Sequence, residues 1–170
     1  MATGNTLFGA LAAQAAVGPT SGYATPDTRA GATNSQMPVL DFDDTTDESA
    51  DFAFVCPSAL TANAGVTVRL GWAATTATSG DVVWNVGLNA FTDDTDDMDS
   101  VALGTPNAAT VATASASGEI AYDTIAFTSA AHGFIAAGEV VRMRVTRDAD
   151  NGSDTLVGDA ELVSVEVYET

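Results

Sequence analysis

The chain has 170 residues, 46% of them hydrophobic, and its 23 acidic residues against 5 basic ones give a net charge of −18. Such a surface repels both the phosphate backbone of nucleic acids and anionic membranes, so we expect neither as a partner. The apolar residues are regularly patterned and no apolar run reaches transmembrane length, which excludes general disorder and predicts one globular domain.

All five basic residues are arginines, and lysine is absent. A net charge of this size opposes compaction by self-repulsion unless salt screens it. At 1 M salt the Debye length is about 3 Å, so most of that repulsion is removed. The composition therefore favours adaptation to a hypersaline medium over an ordinary acidic surface.

Residues 1–38 differ from the rest and are expected to form an extended N-terminal arm that packs on its own or a neighbouring subunit. Within this arm, residues 7–17 have the propensity for a short helix, which Gly18 and Pro19 would end. The prolines at 26 and 38 keep the residues before them extended. A flexible tail is the alternative for this segment.

Residues 39–170 are expected to form the body of the protein, with short strands between polar turns. The clearest period-two alternation lies in 66–72 and 82–90. Residues 101–117 are expected to form a weak strand or a long connection. The inward phase of 119–127 slips between Tyr122 and Ile125, which suggests a bulge or a bend. The remaining strands are predicted at 39–42, 50–56, 139–147 and 161–168.

The last two strands are predicted to form a hairpin across the polar loop 148–154, whose Asp, Asn and Gly residues favour a turn. About eight antiparallel strands with essentially no helix in the body predict an all-β jelly-roll sandwich with an extended N-terminal arm. An immunoglobulin-type sandwich is less suitable, because the Cys…Trp…Cys spacing is missing.

The same loop is the best candidate for a metal site, with Asp148, Asp150 and Asp154 as the ligands. Calcium prefers several carboxylate and carbonyl oxygens supplied by a flexible loop. The alternative is a polar turn whose acids pair with Arg144 and Arg147. Apart from calcium or another cation, no cofactor is expected.

Signatures of catalysis are missing from the sequence. It contains no glycine-rich phosphate loop, no G-x-S-x-G elbow and no H-E-x-x-H motif, and its single histidine is His132. Cys56 lies in an apolar run and is expected to be buried. Trp72 and Trp84 share the apolar faces of their strands, which favours core packing over a sugar-binding platform. We therefore expect that the protein is not an enzyme.

Several local patterns resemble small structural proteins of tailed phages and related viruses. They span nearly the whole chain: MATGNTL (1–7), ATPDTR (24–29), VLDFD (39–43), TATSGDVVW (76–84), RDADN (147–151) and GDAELV (158–163). Among such proteins the chain resembles jelly-roll capsid decoration proteins. Together with this resemblance, the acidity and the absence of lysine indicate a virus of halophilic archaea.

The resemblance implies a virion protein, namely a capsid decoration (cement) subunit that binds the major capsid protein on the outer surface of the head, as a homotrimer. Charge pairs between subunits are then expected from Arg29, Arg142, Arg144 and Arg147, because arginine suits bidentate bonding at interfaces. The alternative is a tail or spike domain that binds host-surface glycans, with cations held in the acidic loops 93–99 or 148–154.

The charge makes a first prediction about stability. The melting temperature should rise steeply between 0.1 and 3 M salt, because screening removes the repulsion among the acids. Calorimetry or circular dichroism over that range checks it. A flat profile would contradict the hypersaline interpretation.

Overall fold

The computed structural model describes residues 6–9, 14–15, 22–31, 36–56, 60–61, 64–130 and 135–170. These residues form twelve β-strands and no helix, which confirms the all-β prediction. Within the same ranges there is consequently no helix with the length and apolar character needed to span a membrane.

The strands are, in chain order, β1 (Thr6–Gly9), β2 (Gln14–Ala15), β3 (Gly22–Tyr23), β4 (Thr25–Ala30), β5 (Gln36–Phe42), β6 (Glu48–Val55), β7 (Val66–Ala74), β8 (Asp81–Phe91), β9 (Asn107–Ala112), β10 (Ala121–Phe127), β11 (Val140–Arg147) and β12 (Ala160–Glu169). The eight strands from β5 onward correspond to the eight predicted by alternation, including the weak one in 101–117. The arm contributes β1 to β4, and its limit at residue 38 stays a prediction.

The strands form two six-stranded sheets that enclose one core. Sheet A has the order β10-β7-β12-β5-β4, with β1 also paired to β12, and sheet B has the order β2-β6-β11-β8-β9, with β3 also paired to β6. Every pairing is antiparallel except that of β3 with β6. This two-sheet arrangement confirms the predicted jelly-roll sandwich.

The core is built from alternate residues of both sheets, as the period-two patterns require. Trp72 of sheet A and Trp84 of sheet B are fully buried, with ring centroids 6.0 Å apart, and Phe42 meets Trp84 edge-on at 5.1 Å. Edge-to-face contacts of this kind stabilise a core beyond the area they bury. Cys56 is buried too, as expected.

The predicted C-terminal hairpin is wrong, because β11 and β12 lie in different sheets. β11 pairs with β6 and β8, whereas β12 pairs with β7, β5 and β1. The connection 148–159 therefore crosses from sheet B to sheet A. Alternation shows that each strand has one buried face, but not which strand lies beside it in the sheet.

Arg147, the last residue of β11, anchors this crossover in the core. Its guanidinium is fully buried and forms two bonds with Asp154, at 3.1 Å from Nε and 2.9 Å from Nη2. It also donates to three backbone carbonyls, those of Phe42, Leu156 and Gly158, at 2.9–3.1 Å. All five N–H donors of the side chain are thus used.

Two further predictions are corrected. β10 pairs with β7 in unbroken register, so the expected bulge near Tyr122 is absent; Tyr122 points outward and Asp123 takes the inward position. The irregularity lies in β12, where the register shifts between Leu162 and Ser164. The helix expected over 7–17 is also wrong at residues 7–9 and 14–15, which pair as strands with β12 and β6. Sheet edges with unpaired backbone groups override the local helix propensity here.

The buried pair generates a stability prediction. Asp154→Ala should lower the free energy of unfolding by about 3–5 kcal/mol, because it leaves a buried guanidinium without its counter-charge. Glu166→Gln is the matched control: it breaks the 3.4 Å pair with the partly exposed Arg69 and should cost at most about 1 kcal/mol. If urea unfolding gave the same loss of free energy for Asp154→Ala and Glu166→Gln, Arg147 would not anchor the crossover.

Candidate functional site

The outward side chains of β6, β11 and β8 form a mixed polar and apolar surface, which we call face B. Its members come from alternate positions of the three strands, opposite to the core side chains. They are Ser49, Asp51, Ala53 and Val55; Val140, Arg142, Arg144 and Thr146; and Asn85, Gly87, Asn89 and Phe91.

Strand register arranges face B in rows of different chemistry. The row Asp51–Arg144–Gly87 is ionic, and the next contains Arg142 opposite Asn89. The row after that is apolar, with Val140 beside Val55 and Phe91. Val55 is 60% exposed and Val140 46%, so this end of the face is open to solvent.

Arg144 is held rigidly in the centre of face B. Its Nε and Nη2 donate to the two carboxylate oxygens of Asp51, each at 2.7 Å. This bidentate bonding raises the pKa of Arg144 above its ordinary value. Across the same strands, the hydroxyls of Ser49 and Thr146 lie 2.8 Å apart.

The loop after β8 forms a wall beside face B. Gly104 N–H donates to the Leu88 carbonyl at 3.1 Å, and Arg142 Nη2 donates to the Val101 carbonyl at 2.7 Å. A surface cleft of about 360 Å³ lies between residues 98–103 and the two arginines. A second cleft of about 610 Å³, lined by Phe91, the acidic loop and residues 137–140, adjoins it at Met98. Together they form a groove over one end of face B.

The outer face of sheet A is less polar. Its cleft of about 340 Å³ is lined mainly by apolar side chains around the Arg29–Glu161 ion pair. Arg29 also donates to the carbonyls of Ala74 and Thr75, both at 3.3 Å, and so ties β4 to β7. This arginine therefore has a structural role within the chain.

A carboxylate cluster borders that ion pair. Asp41 lies directly opposite Glu161 in the sheet and opposite Thr25 on its other side. Burial, the neighbouring Glu161 charge and Asp27 raise the pKa of Asp41 from 3.8 to about 6. The Oδ1 atom of Asp41 is buried without a hydrogen-bond partner among the described residues.

Two of the three predicted metal ligands come together. Carboxylate oxygens of Asp148, Asp150 and Asp47 lie within 4.8 Å of one another, and repulsion from Asp47 raises the pKa of Asp150. Asp154 is instead engaged by Arg147. Asn85 and Asn151 both donate to Asp148 Oδ2, at 2.9 and 3.0 Å. These bonds are also what a polar turn without a metal ion would show. Cation binding here stays a prediction.

The four arginines singled out by sequence are placed as follows. Arg29, Arg144 and Arg147 each pair with a carboxylate of their own chain. Arg142 lies on face B, and its guanidinium carbon is 5.5 Å from the centroid of the Phe91 ring. Their role between subunits stays a prediction, and His132 lies outside the described residues.

The asparagines and Phe91 of face B were not recognised in the sequence. The alternation of 82–90 placed Asn85 and Asn89 on the outward side, which was the available signal. That these residues would face the two arginines depends on the pairing of β8 with β11, and the sequence alone does not supply that pairing.

No protein-family model and no curated protein sequence matches the chain. Solved structures do match it in fold. With the structure of Arthrobacter globiformis T6 isomalto-dextranase complexed with panose, the identity is 15% and the TM-score 0.58. The match covers 96% of this chain but only 23% of the enzyme, so the chain spans about a quarter of that relative.

Two smaller relatives match over their whole length. One is the C-terminal family 6 carbohydrate-binding module of LamC, a marine laminarinase from Zobellia galactanivorans, with 5% identity, a TM-score of 0.52 and coverage of 97% of this chain and 99% of that one. The other is the family 11 carbohydrate-binding module from Clostridium thermocellum in complex with a β-1,3-1,4-mixed-linked tetrasaccharide. The identity is 8% and the TM-score 0.52, and the match covers 99% of this chain and 97% of that one. At these identities the likeness is one of fold.

The Asp41 cluster generates a pH prediction. Because the folded pKa of Asp41 is raised, the folded state takes up a proton near pH 6 that the unfolded state takes up near pH 4, so stability rises as the pH falls from 7 to 5. Asp41→Asn should therefore stabilise the protein at pH 7, keep only about half of that advantage at pH 5 and lose it below about pH 4. The measurement is denaturant unfolding at both pH values, with the exposed Asp94→Asn as the control for net charge. If the difference in free energy of unfolding between Asp41→Asn and the native chain did not depend on pH, the raised pKa of Asp41 would be contradicted.

Proposed function

We propose that this protein is a carbohydrate-binding module that holds a glycan chain along face B without cleaving it. The observation that carries the proposal is the chemistry of that face, where guanidinium, amide and carboxylate groups adjoin an aromatic and aliphatic row. Sugar hydroxyls need donors and acceptors in alternation, and asparagine offers both. Sugar ring faces are apolar enough to pack against Phe91, Val140 and Met98.

The shape of the site supports the same function. The groove is open at the Val55–Val140 end, where both side chains are exposed, and walled on one side by residues 98–103. An open groove accommodates an extended polymer, whereas a closed pocket suits a small molecule. Arg144 is already fixed by Asp51, so its orientation costs little conformational entropy on binding.

The fold adds support from proteins of the same size. Two structures that this chain matches over nearly their whole length are carbohydrate-binding modules, one of them in complex with a tetrasaccharide. The isomalto-dextranase shares the fold over only a quarter of its length. A fold hosts many functions, so the proposal rests on face B and takes the relatives as support.

The carboxylates of face B support the proposal of binding without cleavage. Glycoside hydrolysis generally needs two carboxyl groups that flank the scissile bond. Among the described residues of this face Asp51 is the one acid, and both of its oxygens are engaged by Arg144. The strands of face B thus offer no free pair of carboxyl groups, and the other acids of the groove, Asp93, Asp94, Asp96 and Glu139, lie in its adjoining cleft.

The geometry favours glycan binding over the capsid decoration role first expected from sequence. Arg29, Arg144 and Arg147, three of the four arginines assigned to subunit interfaces, pair within the chain. The alternative expected from sequence, a tail or spike domain that binds host-surface glycans, would act through the glycan binding proposed here. The virion location and the homotrimer stay predictions.

The test is binding of the full chain to a glycan array, followed by affinity measurement for the best ligand. The double variant Asn89→Ala, Phe91→Ala should bind at least about tenfold more weakly, which corresponds to about 1.4 kcal/mol. Thr124→Ala, an exposed position on the outer face of sheet A, is the control and should bind like the native chain. Melting temperatures check that all variants fold.

Failure to bind any glycan would refute the proposed function. Equal weakening by the control would place the site elsewhere. Release of reducing ends during incubation with the bound polysaccharide would contradict binding without cleavage.

A further inference from the structure

We infer that the glycan bound on face B carries an anionic substituent, a carboxylate or a sulfate ester, and that Arg142 is the side chain that receives it. This inference rests on the proposed function and specifies the class of glycan. It follows from the pairing of the arginines, from the surroundings of Arg142 and from the charges that line the cleft beside it.

Arg142 differs from the other arginines in its partners. Four arginines each have a carboxylate oxygen within 4.0 Å, in the pairs Arg29–Glu161, Arg69–Glu166, Arg144–Asp51 and Arg147–Asp154. Among the described residues Arg142 has none within that distance, although the chain has 23 acids to offer. An unpaired cation in so acidic a chain is a natural acceptor for an anion from outside.

The guanidinium of Arg142 is held in place, and within the described ranges one acceptor is bonded to it. Nη2 donates to the Val101 carbonyl at 2.7 Å, and the group lies over the Phe91 ring. Its Nε is buried and has no hydrogen-bond partner in the described part of the chain. A guanidinium has five N–H donors in a planar fork that matches the oxygens of a carboxylate or sulfate. Arg142 is thus oriented but not satisfied.

The position of Arg142 suits an anionic group attached to a sugar. In register it lies between Ala53 and Asn89, one row from the apolar row that would hold the sugar ring. It also lines the cleft of about 360 Å³ beside residues 98–103. A substituent of a ring packed on Phe91 therefore reaches the guanidinium. Asn89, whose Nδ2 donates to the Ala90 carbonyl at 2.9 Å, offers its Oδ1 as an acceptor to a neighbouring hydroxyl.

The cleft beside Arg142 concentrates positive charge in an acidic chain. Arg142 and Arg144 line it together with one acid, Asp99, whereas Asp93, Asp94, Asp96 and Glu139 line the adjoining cleft and the chain as a whole carries −18. Asp99 borders the cleft, but it is exposed, and its field decays over a Debye length of about 8 Å at physiological salt and about 3 Å at 1 M. A direct contact with Arg142 is screened far less.

The experiment compares three forms of one polysaccharide that the protein binds: the neutral form, the form oxidised at C6 to a carboxylate, and the sulfated form. Calorimetric titration of the native chain should give at least tenfold tighter binding of one or both anionic forms than of the neutral form. Which form is preferred distinguishes a uronic acid from a sulfate ester as the natural group.

Arg142→Gln should remove this preference, so that the anionic forms bind no more tightly than the neutral form does to the same variant. Arg69→Gln is the matched control, because it removes the same charge from the opposite sheet, and it should keep the preference. Melting temperatures and sedimentation accompany each variant.

Equal binding of all three forms by the native chain overturns the inference and leaves the proposed function standing. The same holds if Arg142→Gln keeps the preference, or if it changes only the oligomeric state, which would assign Arg142 to a contact between subunits. Failure of every glycan to bind overturns both the inference and the proposed function.

Discussion

The structure depends on one buried charge, the guanidinium of Arg147. Burying an ion costs several kcal/mol unless its charge and all its hydrogen-bonding groups are satisfied. Here Asp154 supplies the charge, and three carbonyls take the remaining N–H groups. Two of those carbonyls, of Phe42 and Gly158, belong to chain entering or leaving sheet A, while Arg147 ends a strand of sheet B. The guanidinium therefore joins the two sheets where the chain crosses between them.

This anchor also determines the register of the strand that carries the candidate site. In β11, odd-numbered residues from Val141 to Arg147 point inward and even-numbered ones point outward. Because Arg147 is fixed at the end of the strand, Arg142 and Arg144 must lie on face B. The neighbouring strands then supply Asp51 and Asn89 opposite them. A structural arginine and two surface arginines thus share one strand with distinct roles.

Much of the fold could be predicted from the sequence, because each strand has one apolar face and alternation records it. The eight strands from residue 36 onward and the burial of Trp72 and Trp84 followed in this way. Neighbour relations did not follow, since β11 and β12 carry the same pattern as a hairpin although they belong to different sheets. The outward turn of Tyr122 was missed for a related reason: Asp123, a polar residue, takes an inward position near the sheet edge.

The candidate site was predictable only in part. Arg142 and Arg144 stood out because the chain has so few cations, but their different partners depend on which strands flank β11. Asp51 lies close enough to neutralise Arg144, whereas the residues opposite Arg142 are Ala53 and Asn89. This difference of one row, invisible in the sequence, separates a side chain with a structural partner from one that is open to a ligand.

The two short strands that the arm lays along β6 have a consequence for how the protein can be divided. β2 pairs with Ala50 and Asp51, and β3 pairs with Glu48 and Ser49, so the outer edge of β6 is covered there by residues from the first 23 positions. A fragment that began at residue 39 would present these backbone groups as a bare edge, a template for edge-to-edge aggregation. It would also lack the strand that flanks Asp51, the partner of Arg144. The N-terminal segment is therefore part of the framework that supports face B.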